Sequence, residues 1–355
     1  MSLRIPVRSV TAAGAALLLG PLTACSAGSN DSNAKEITVY SADGLHTTDG
    51  KGFYNKVFED FEKKTGIKVK YVEGGSGEMV QRLTREKSNN KADVVVTLPP
   101  FIQQANERGL LERYRPAGSH KISASDRSAD GSWTPIVNNY FSFIHNAKEL
   151  PEAPKTWDDL LDDKFRNRLQ YSTPGVAGDG TALVIKAIHD FGGEEPAMAY
   201  LKKLQKNNVG PSPSTGALEP KVDKGELLVA NGDVQMNYAD AKASYPNNKI
   251  FFPAAAEGRK PTTFALPYAA GLVKNAPHEA NARKFLDYLI SPEVQEQVSP
   301  VAGGFPVRRD VEAAGEDAVA LRKILSGVEI FTPDWQAVSA NLADYVDAWK
   351  EATGS

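Results

Sequence analysis

The sequence predicts an α/β protein of two lobes, each a mostly parallel sheet flanked by helices, with two crossover strands as a hinge. Three observations support this prediction. The chain has 355 residues, enough for two lobes of about 150 residues each. Strand-like and helix-like segments alternate along it, which is typical of sheets covered by helices. Two long apolar runs interrupt the alternation and indicate where the chain crosses between the lobes.

The first 24 residues have the layout of a secretory signal. Arg4 and Arg8 form a short basic start, and an apolar run covers residues 10–22. A membrane-spanning helix needs about 20 apolar residues, more than this run supplies. We therefore expect residues 1–24 to be a signal peptide and the protein not to cross the membrane.

The single cysteine of the chain directly follows this signal. Residues 22–25 read Leu-Thr-Ala-Cys, which resembles the bacterial lipobox, where cleavage leaves the cysteine first and lipid is attached to it. The alternative is an ordinary secretory signal with a chance cysteine. Several acyl chains on Cys25 would anchor the protein stably to the outer face of the cell membrane. Residues 25–35 have no apolar pattern and are predicted to be a flexible tether.

The first lobe is predicted from repeated strand–helix units. Phe53, Val57, Phe58 and Phe61 recur at helical spacing with charged residues between them. Strands are predicted over 36–41, 67–72 and 92–97, and helices over 53–64, 78–86, 102–108, 278–290 and 292–298. We place this lobe at residues 36–135 plus 272–355.

The second lobe lies between the two long apolar runs, 137–144 and 264–273. Strands are predicted over 169–172, 234–238 and 249–252, and helices over 181–191 and 195–207. We place this lobe, with both crossover strands, at residues 136–271.

Three polar loops before predicted helices could bind an anion: residues 75–78, 173–181 and 211–216. Free backbone N–H groups and the helix dipole attract oxyanions at such positions, and glycine lets the backbone approach closely. A simple turn and cap is the alternative for each loop. Neither the G-x-x-x-x-G-K-[ST] nor the G-x-G-x-x-G nucleotide fingerprint is present.

An ammonium group would instead need carboxylates or aromatic rings. Asp43, Asp179 and Asp240 lie near predicted loop ends, and Tyr238 and Tyr268 could donate a hydroxyl or offer a ring face. Aspartate beside glycine is also a common turn former, so a structural role is the alternative for these residues.

Composition and spacing argue against several classes of function. The formal net charge of −3 gives no support for nucleic-acid binding. One cysteine excludes an intrachain disulfide, and the five histidines lack metal-ligand spacing, so we expect no metal and no cofactor. No nucleophile–base pair is evident, so we expect a protein that is not an enzyme; a secreted hydrolase is the alternative from a different class.

Several longer stretches carry a family resemblance. They are residues 39–45 (VYSADGL), 71–77 (YVEGGSG), 93–104 (DVVVTLPPFIQQ), 171–181 (YSTPGVAGDGT), 207–216 (NNVGPSPSTG), 226–237 (ELLVANGDVQMN) and 267–271 (PYAAG). With the lipobox, they resemble the extracellular solute-binding proteins of ABC importers, and among these the 2-aminoethylphosphonate-binding group. The resemblance implies a type 2 periplasmic-binding-protein fold that closes on its ligand and hands it to a membrane permease.

The ligand implied by the resemblance carries a phosphonate at one end and an ammonium at the other. Combining this ligand with the loops, we assign the phosphonate to donors at helix starts: Ser76, Gly77, Gly180, Thr181 and Thr215. Asp43 is the first choice for the ammonium and Asp240 the second, and Tyr268 would close over the ligand. We expect a monomer whose only membrane contact, apart from the permease, is its lipid anchor.

Related families leave alternative ligands open. The resemblance extends to ferric-ion binders, which hold iron with two consecutive tyrosines. Residues 237–240 here read Asn-Tyr-Ala-Asp, so the second tyrosine is absent. A phosphate ester is another alternative. Polyamine or thiamine binding would favour an acidic, aromatic-lined cleft without anion loops.

Overall fold

The computed structural model describes residues 35–47 and 49–355. The predicted signal peptide, Cys25 and the tether up to residue 34 lie outside the described residues. Among the helices of the described part, none combines the length and the apolar character that crossing a membrane requires.

The regular elements alternate along the chain as expected for an α/β protein. The strands are β1 (Glu36–Ala42), β2 (Lys68–Gly74), β3 (Val94–Thr97), β4 (Leu111–Glu112), β5 (Thr134–Val137), β6 (Phe141–Asn146), β7 (Leu169–Gln170), β8 (Val229–Asp233), β9 (Asn248–Phe251), β10 (Thr262–Phe264), β11 (Tyr268–Val273) and β12 (Glu329–Phe331). The α-helices are α1 (Phe53–Thr65), α2 (Ser76–Glu86), α3 (Phe101–Glu107), α4 (Gly178–Phe191), α5 (Glu194–Leu204), α6 (Glu219–Asp223), α7 (Val234–Ala243), α8 (Glu279–Leu289), α9 (Pro292–Gln295), α10 (Gly315–Ile324) and α11 (Trp335–Thr353).

The first lobe is built on a six-stranded sheet with the order β2-β1-β3-β11-β4, in which β5 also pairs with β11. Strands β1, β2 and β3 are parallel, whereas β11 is antiparallel to its neighbours because it returns from the second lobe. Helix α1 buries Phe53, Tyr54, Val57 and Phe61. The Tyr54 ring meets Tyr71 of β2, and the Phe61 ring meets Phe285 of α8. Burying each phenylalanine contributes about 1.5–3 kcal/mol.

The second lobe is built on a four-stranded sheet with the order β7-β8-β6-β9. Only β7 and β8 are parallel, so both sheets are mixed rather than mostly parallel. A fully buried ion pair lies in this lobe, where Lys186 Nζ is 2.6 Å from Asp190 Oδ2. The Thr262 hydroxyl and the Trp157 indole N–H also contact Asp190, at 2.6 and 2.7 Å, so the buried charges are well paired.

Each long apolar run is split between two strands. The run predicted over 137–144 ends β5 in the first sheet and continues as β6 in the second. Between them, the buried Asn139 side chain accepts hydrogen bonds from Tyr140 N at 2.8 Å and Gln235 N at 2.9 Å. The second run is likewise divided into β10 and β11. The hydrogen bond from Gln235 N to Asn139 therefore connects the first crossing, between β5 and β6, to the start of α7 and positions that helix between the lobes.

The strand predicted over 234–238 is wrong, because these residues begin helix α7. The strand of this region is β8, which ends at Asp233. The Asp233 side chain then accepts a hydrogen bond from Met236 N at 2.7 Å and caps the helix. Helices α2 and α4 also begin earlier than predicted, at Ser76 and Gly178. The predicted anion-binding residues of these two loops therefore lie in the first turns of helices.

The C-terminal helix α11 contacts both lobes. The Ser339 hydroxyl donates to Glu107 of α3 at 2.9 Å, and Leu342 joins the apolar core of the first lobe. Ten residues after Ser339, the Trp349 indole donates to the Tyr171 hydroxyl of the second lobe at 3.3 Å. This helix therefore spans the junction between the lobes.

Candidate functional site

The two lobes meet at the first turn of α2. Gly77 N donates a hydrogen bond to Val176 O of the second lobe at 2.8 Å. A Cβ atom on Gly77 would lie 2.2 Å from Gly175 O, and one on Gly75 would lie 2.5 Å from Val176 O. Only glycine permits this approach of backbone to backbone, so the structure has closed lobes.

The start of α2 faces the start of α4 across this contact. Ser76 is buried, and its Oγ lies 2.7 Å from the position of a Cβ atom on Gly178. The N-termini of two helices, one from each lobe, therefore converge on one serine side chain. N–H groups without an intrahelical partner and two helix dipoles favour negative charge at this point, although the first turns also carry the acidic residues Glu78 and Asp179. Such an arrangement suits an oxyanion.

The other predicted anion ligands lie close by but are engaged in this closed form. The Thr181 hydroxyl donates to Ala177 O at 3.2 Å and accepts from Gly175 N at 2.9 Å, so it holds the loop in shape. A Cβ atom on Gly180 would lie 2.2 Å from Ser172 O, within the same lobe. The Thr215 hydroxyl donates to Ser172 Oγ at 3.0 Å. Of the predicted set, Ser76 stands at the convergence itself.

Asp43 connects the lobes on the other side of the cleft. It follows β1 of the first lobe, and its Oδ2 accepts hydrogen bonds from Ser214 Oγ at 2.6 Å and Gly216 N at 3.0 Å in the second. The buried Tyr268 hydroxyl lies 2.8 Å from Asp43 O and 3.2 Å from Asp233 Oδ2. Burial raises the pKa of Asp43 above its usual value, although the two hydrogen bonds oppose this shift.

Two more carboxylates stand beside Asp43. Asp179, in the first turn of α4, is 3% exposed, and its Oδ1 is buried without a hydrogen-bond partner among the described residues. Burial raises the pKa of Asp179 well above its usual value, and the charges of Asp233 and Asp43 raise it further. Burial likewise raises the pKa of Asp233, to about 7. Three carboxylates from both lobes thus share one poorly solvated space.

Asp240 lies further out, where it lines a cavity of about 330 Å³ together with Asp43, Glu73 and Tyr245. Burial raises the pKa of Asp240. Near it, Glu219 is 1% exposed, and neither of its carboxylate oxygens has a hydrogen-bond partner among the described residues. The cleft is therefore acidic along this side, from the carboxylate cluster of Asp43, Asp179 and Asp233 to its opening.

Asp233 is the site residue that the sequence reasoning missed. The incorrect strand over 234–238 left it inside an apparent loop–strand junction, although an aspartate directly before the first apolar residue of a segment is a helix-capping signal. Recognising that cap would have put Asp233 at the end of a strand and the start of a helix, as for the other candidate ligands.

The described residues contain no group of three or more His, Cys, Asp or Glu side chains arranged to hold a metal ion. Tyr238, the single tyrosine of residues 237–240, donates its hydroxyl to Asp317 of α10 at 2.8 Å. That hydroxyl is thus engaged with an acidic side chain outside the carboxylate cluster.

Comparisons with known proteins identify relatives over most of the chain. A family model described as bacterial extracellular solute-binding protein matches residues 44–296. The "Putative 2-aminoethylphosphonate-binding periplasmic protein" of Salmonella paratyphi A is 47% identical over 319 residues, covering 90% of this chain and 93% of the relative.

Solved structures share the fold. The periplasmic binding protein P5PA aligns with a TM-score of 0.76 at 24% identity, over 89% of this chain and 99% of the other. AfuA from Actinobacillus pleuropneumoniae, with fructose-6-phosphate bound, aligns with a TM-score of 0.74 at 21% identity, over 90% and 98%. These likenesses confirm the two-lobe, type 2 periplasmic-binding-protein fold expected from the sequence.

Proposed function

Since the chain belongs to the family of bacterial extracellular solute-binding proteins of ABC importers, we propose that it binds 2-aminoethylphosphonate between its lobes and delivers it to a permease. The binding involves no chemical change of the ligand. Contacts from both lobes favour the closed form, which the permease then recognises.

The observation that carries this proposal is the presence of two opposite chemistries in one cleft. Helix N-termini from both lobes converge at Ser76, which suits the phosphonate oxygens. The carboxylates of Asp43, Asp179 and Asp233 suit the ammonium group. The name of the Salmonella relative supports the same ligand.

The predicted ligands divide between direct and supporting roles in this proposal. Ser76 and the N–H groups at the starts of α2 and α4 bind the phosphonate, while Thr181 and Gly180 shape the loop that presents those groups. Asp43 binds the ammonium, and the Tyr268 hydroxyl holds Asp43 in place from the returning strand. Gly77 allows the lobes to touch, Thr215 borders the carboxylates, and Asp240 lies at the opening.

Isothermal titration calorimetry of the purified mature protein tests the ligand. We expect saturable heat with 2-aminoethylphosphonate at micromolar concentrations and none with phosphate, ferric citrate or fructose-6-phosphate. Thiamine and putrescine are the essential comparators, because an acidic cleft alone would accept either. No heat with 2-aminoethylphosphonate at tens of micromolar, or tighter binding of a comparator, would refute the assignment.

We also propose that the protein is held at the outer face of the membrane by lipid on Cys25. Metabolic labelling with an alkyne-bearing fatty acid should label the protein, and the Cys25→Ala variant should lose the label and appear in the medium. A labelled Cys25→Ala variant, or an unlabelled parent protein, would contradict this proposal.

A further inference from the structure

The carboxylates of the cleft come from both lobes and have no cationic partner. Asp43 belongs to the first lobe, whereas Asp179 and Asp233 belong to the second. Across residues 35–47 and 49–355, none of the three forms an ion pair with Lys, Arg or His. The Tyr268 hydroxyl lies 2.8 Å from Asp43 O and 3.2 Å from Asp233 Oδ2, so these two residues are neighbours. The Asp179 side chain is 3% exposed with an unpartnered Oδ1, and it lies near enough for the charges of Asp233 and Asp43 to raise its pKa.

The groups around this cluster add further negative charge. Glu73 of β2 and Asp240 of α7 line the adjoining cavity. Glu219 of α6 is buried, and the charges of Asp43 and Asp233 help to raise its pKa. His46 also lines this cavity, but its ring nitrogen lies 2.9 Å from the Asn55 amide. Tyr268 of β11 contributes a neutral hydroxyl. The starts of α4 and α7 supply only partial positive charge.

Closing the lobes therefore brings like charges together in a poorly hydrated space. Such charges repel each other more strongly there than in water. A primary ammonium has three N–H donors and one positive charge, so it could bind one oxygen of each aspartate and reduce the repulsion between them. A quaternary ammonium has the charge but no donor, and an amine-free phosphonate has neither.

We propose, building on the proposed function, that the cleft closes only around a primary ammonium group held between Asp43 of one lobe and Asp179 and Asp233 of the other, unless protons neutralise these carboxylates. Asp179 and Asp233 are accordingly the residues that restrict the ligand to amine-bearing phosphonates. The phosphonate end contributes affinity, and the ammonium end decides whether the lobes close.

Protons can substitute for the ammonium in the empty protein. The pKa values of the three aspartates are raised in the closed form, that of Asp233 to about 7, chiefly by burial. We expect opening of the lobes to hydrate these carboxylates and lower their pKa values. Protonation therefore stabilises the empty closed form at low pH, and this stabilisation is lost as the pH rises through about 7. Ligand binding should release protons at pH 6, which titrations in buffers of different ionisation enthalpy measure.

A ligand series on the unaltered protein tests the proposal. The ligands are 2-aminoethylphosphonate, its N,N,N-trimethyl derivative and ethylphosphonate, with closure followed by small-angle X-ray scattering. We expect closure at pH 8 with the first alone. Ethylphosphonate that binds and closes the lobes as well as 2-aminoethylphosphonate would overturn this inference while leaving the proposed function intact. A cleft that ignores 2-aminoethylphosphonate but closes on putrescine would overturn the proposed function and the phosphonate requirement, and would leave only the ammonium requirement for closure.

Variants add a second readout. Asp179→Asn should weaken 2-aminoethylphosphonate binding by about tenfold or more. It should also reduce the discrimination against ethylphosphonate and let the empty lobes close at higher pH, because one charge is gone. Asp163→Asn, at a side chain 85% exposed in the same lobe, is the matched control and should change neither property. If Asp179→Asn keeps the discrimination and the pH dependence of the parent protein, Asp179 is not a specificity residue.

Discussion

Replacing Gly77 with alanine should block closure of the lobes without harming either lobe. The added Cβ would lie 2.2 Å from Gly175 O, which belongs to the backbone of the second lobe. Within the first lobe, the nearest atom is Cε1 of the Phe101 ring at 2.9 Å, and a side chain can move aside more easily than backbone. The open form should therefore accept the methyl group, and the closed form should not.

The expected loss of ligand affinity in Gly77→Ala follows from these distances. Real Cβ contacts essentially never fall below 3.0 Å, so the lobes must separate by at least 3.0 − 2.2 = 0.8 Å at this point. Overpacking of this kind costs about 1–3 kcal/mol, which corresponds to a loss of about 5- to 150-fold in affinity. In the open form, alanine in a helix is favoured over glycine by up to about 1 kcal/mol.

Calorimetry and thermal unfolding of Gly77→Ala together test this reasoning. The dissociation constant for 2-aminoethylphosphonate should rise, while the unfolding temperature of the empty protein stays level or increases. Gly180→Ala is the matched contrast, because its Cβ would lie 2.2 Å from Ser172 O inside the same lobe. That variant should lower the unfolding temperature. Parental affinity in Gly77→Ala, or equal destabilisation by both variants, would refute the interpretation.

Three further predictions concern single side chains. Tyr268→Phe removes the hydroxyl between Asp43 and Asp233 and should weaken ligand binding by about 1 kcal/mol in calorimetry; unchanged affinity would contradict its positioning role. Asp43→Asn should reduce the affinity for 2-aminoethylphosphonate far more than that for ethylphosphonate, and equal losses would mean that Asp43 is structural. Lys186→Met leaves Asp190 buried without its cation and should lower the free energy of unfolding by about 3–5 kcal/mol in urea titrations, whereas an unchanged midpoint would show that the pair is dispensable.

Helices whose apolar residues recur at regular spacing could be predicted from the sequence, because only one face of such a helix is buried. Helix α1 is an example, since Phe53, Val57 and Phe61 recur at helical spacing and are all buried. Helix α7 was not predictable in this way. Its first four residues, Val234 to Asn237, are all buried, because the helix starts between the lobes and is covered on several sides. A helical segment that is buried on all sides shows no regular spacing of apolar residues, so its sequence resembled that of a short strand.

The candidate site was predictable only one residue at a time. Loop chemistry pointed to Asp43, Ser76 and Tyr268 separately, and the structure brings Asp43 and Tyr268 into contact. Asp43 also bonds to Ser214, 171 residues away in the chain. No local pattern specifies such a partner, because it depends on how two separately folded lobes close.

By itself, the sequence determined the fold class, the family resemblance and the stretches that supply the candidate site, since these follow from local period and from long motifs. Tertiary structure decided which charges meet. The sequence shows a nearly balanced chain of 41 basic and 44 acidic residues, and nothing in that balance indicates a cleft lined by carboxylates. Electrostatic energy depends on distance and hydration rather than on composition. Asp43 of the first lobe therefore comes near Asp179 and Asp233 of the second only through the tertiary arrangement of the lobes.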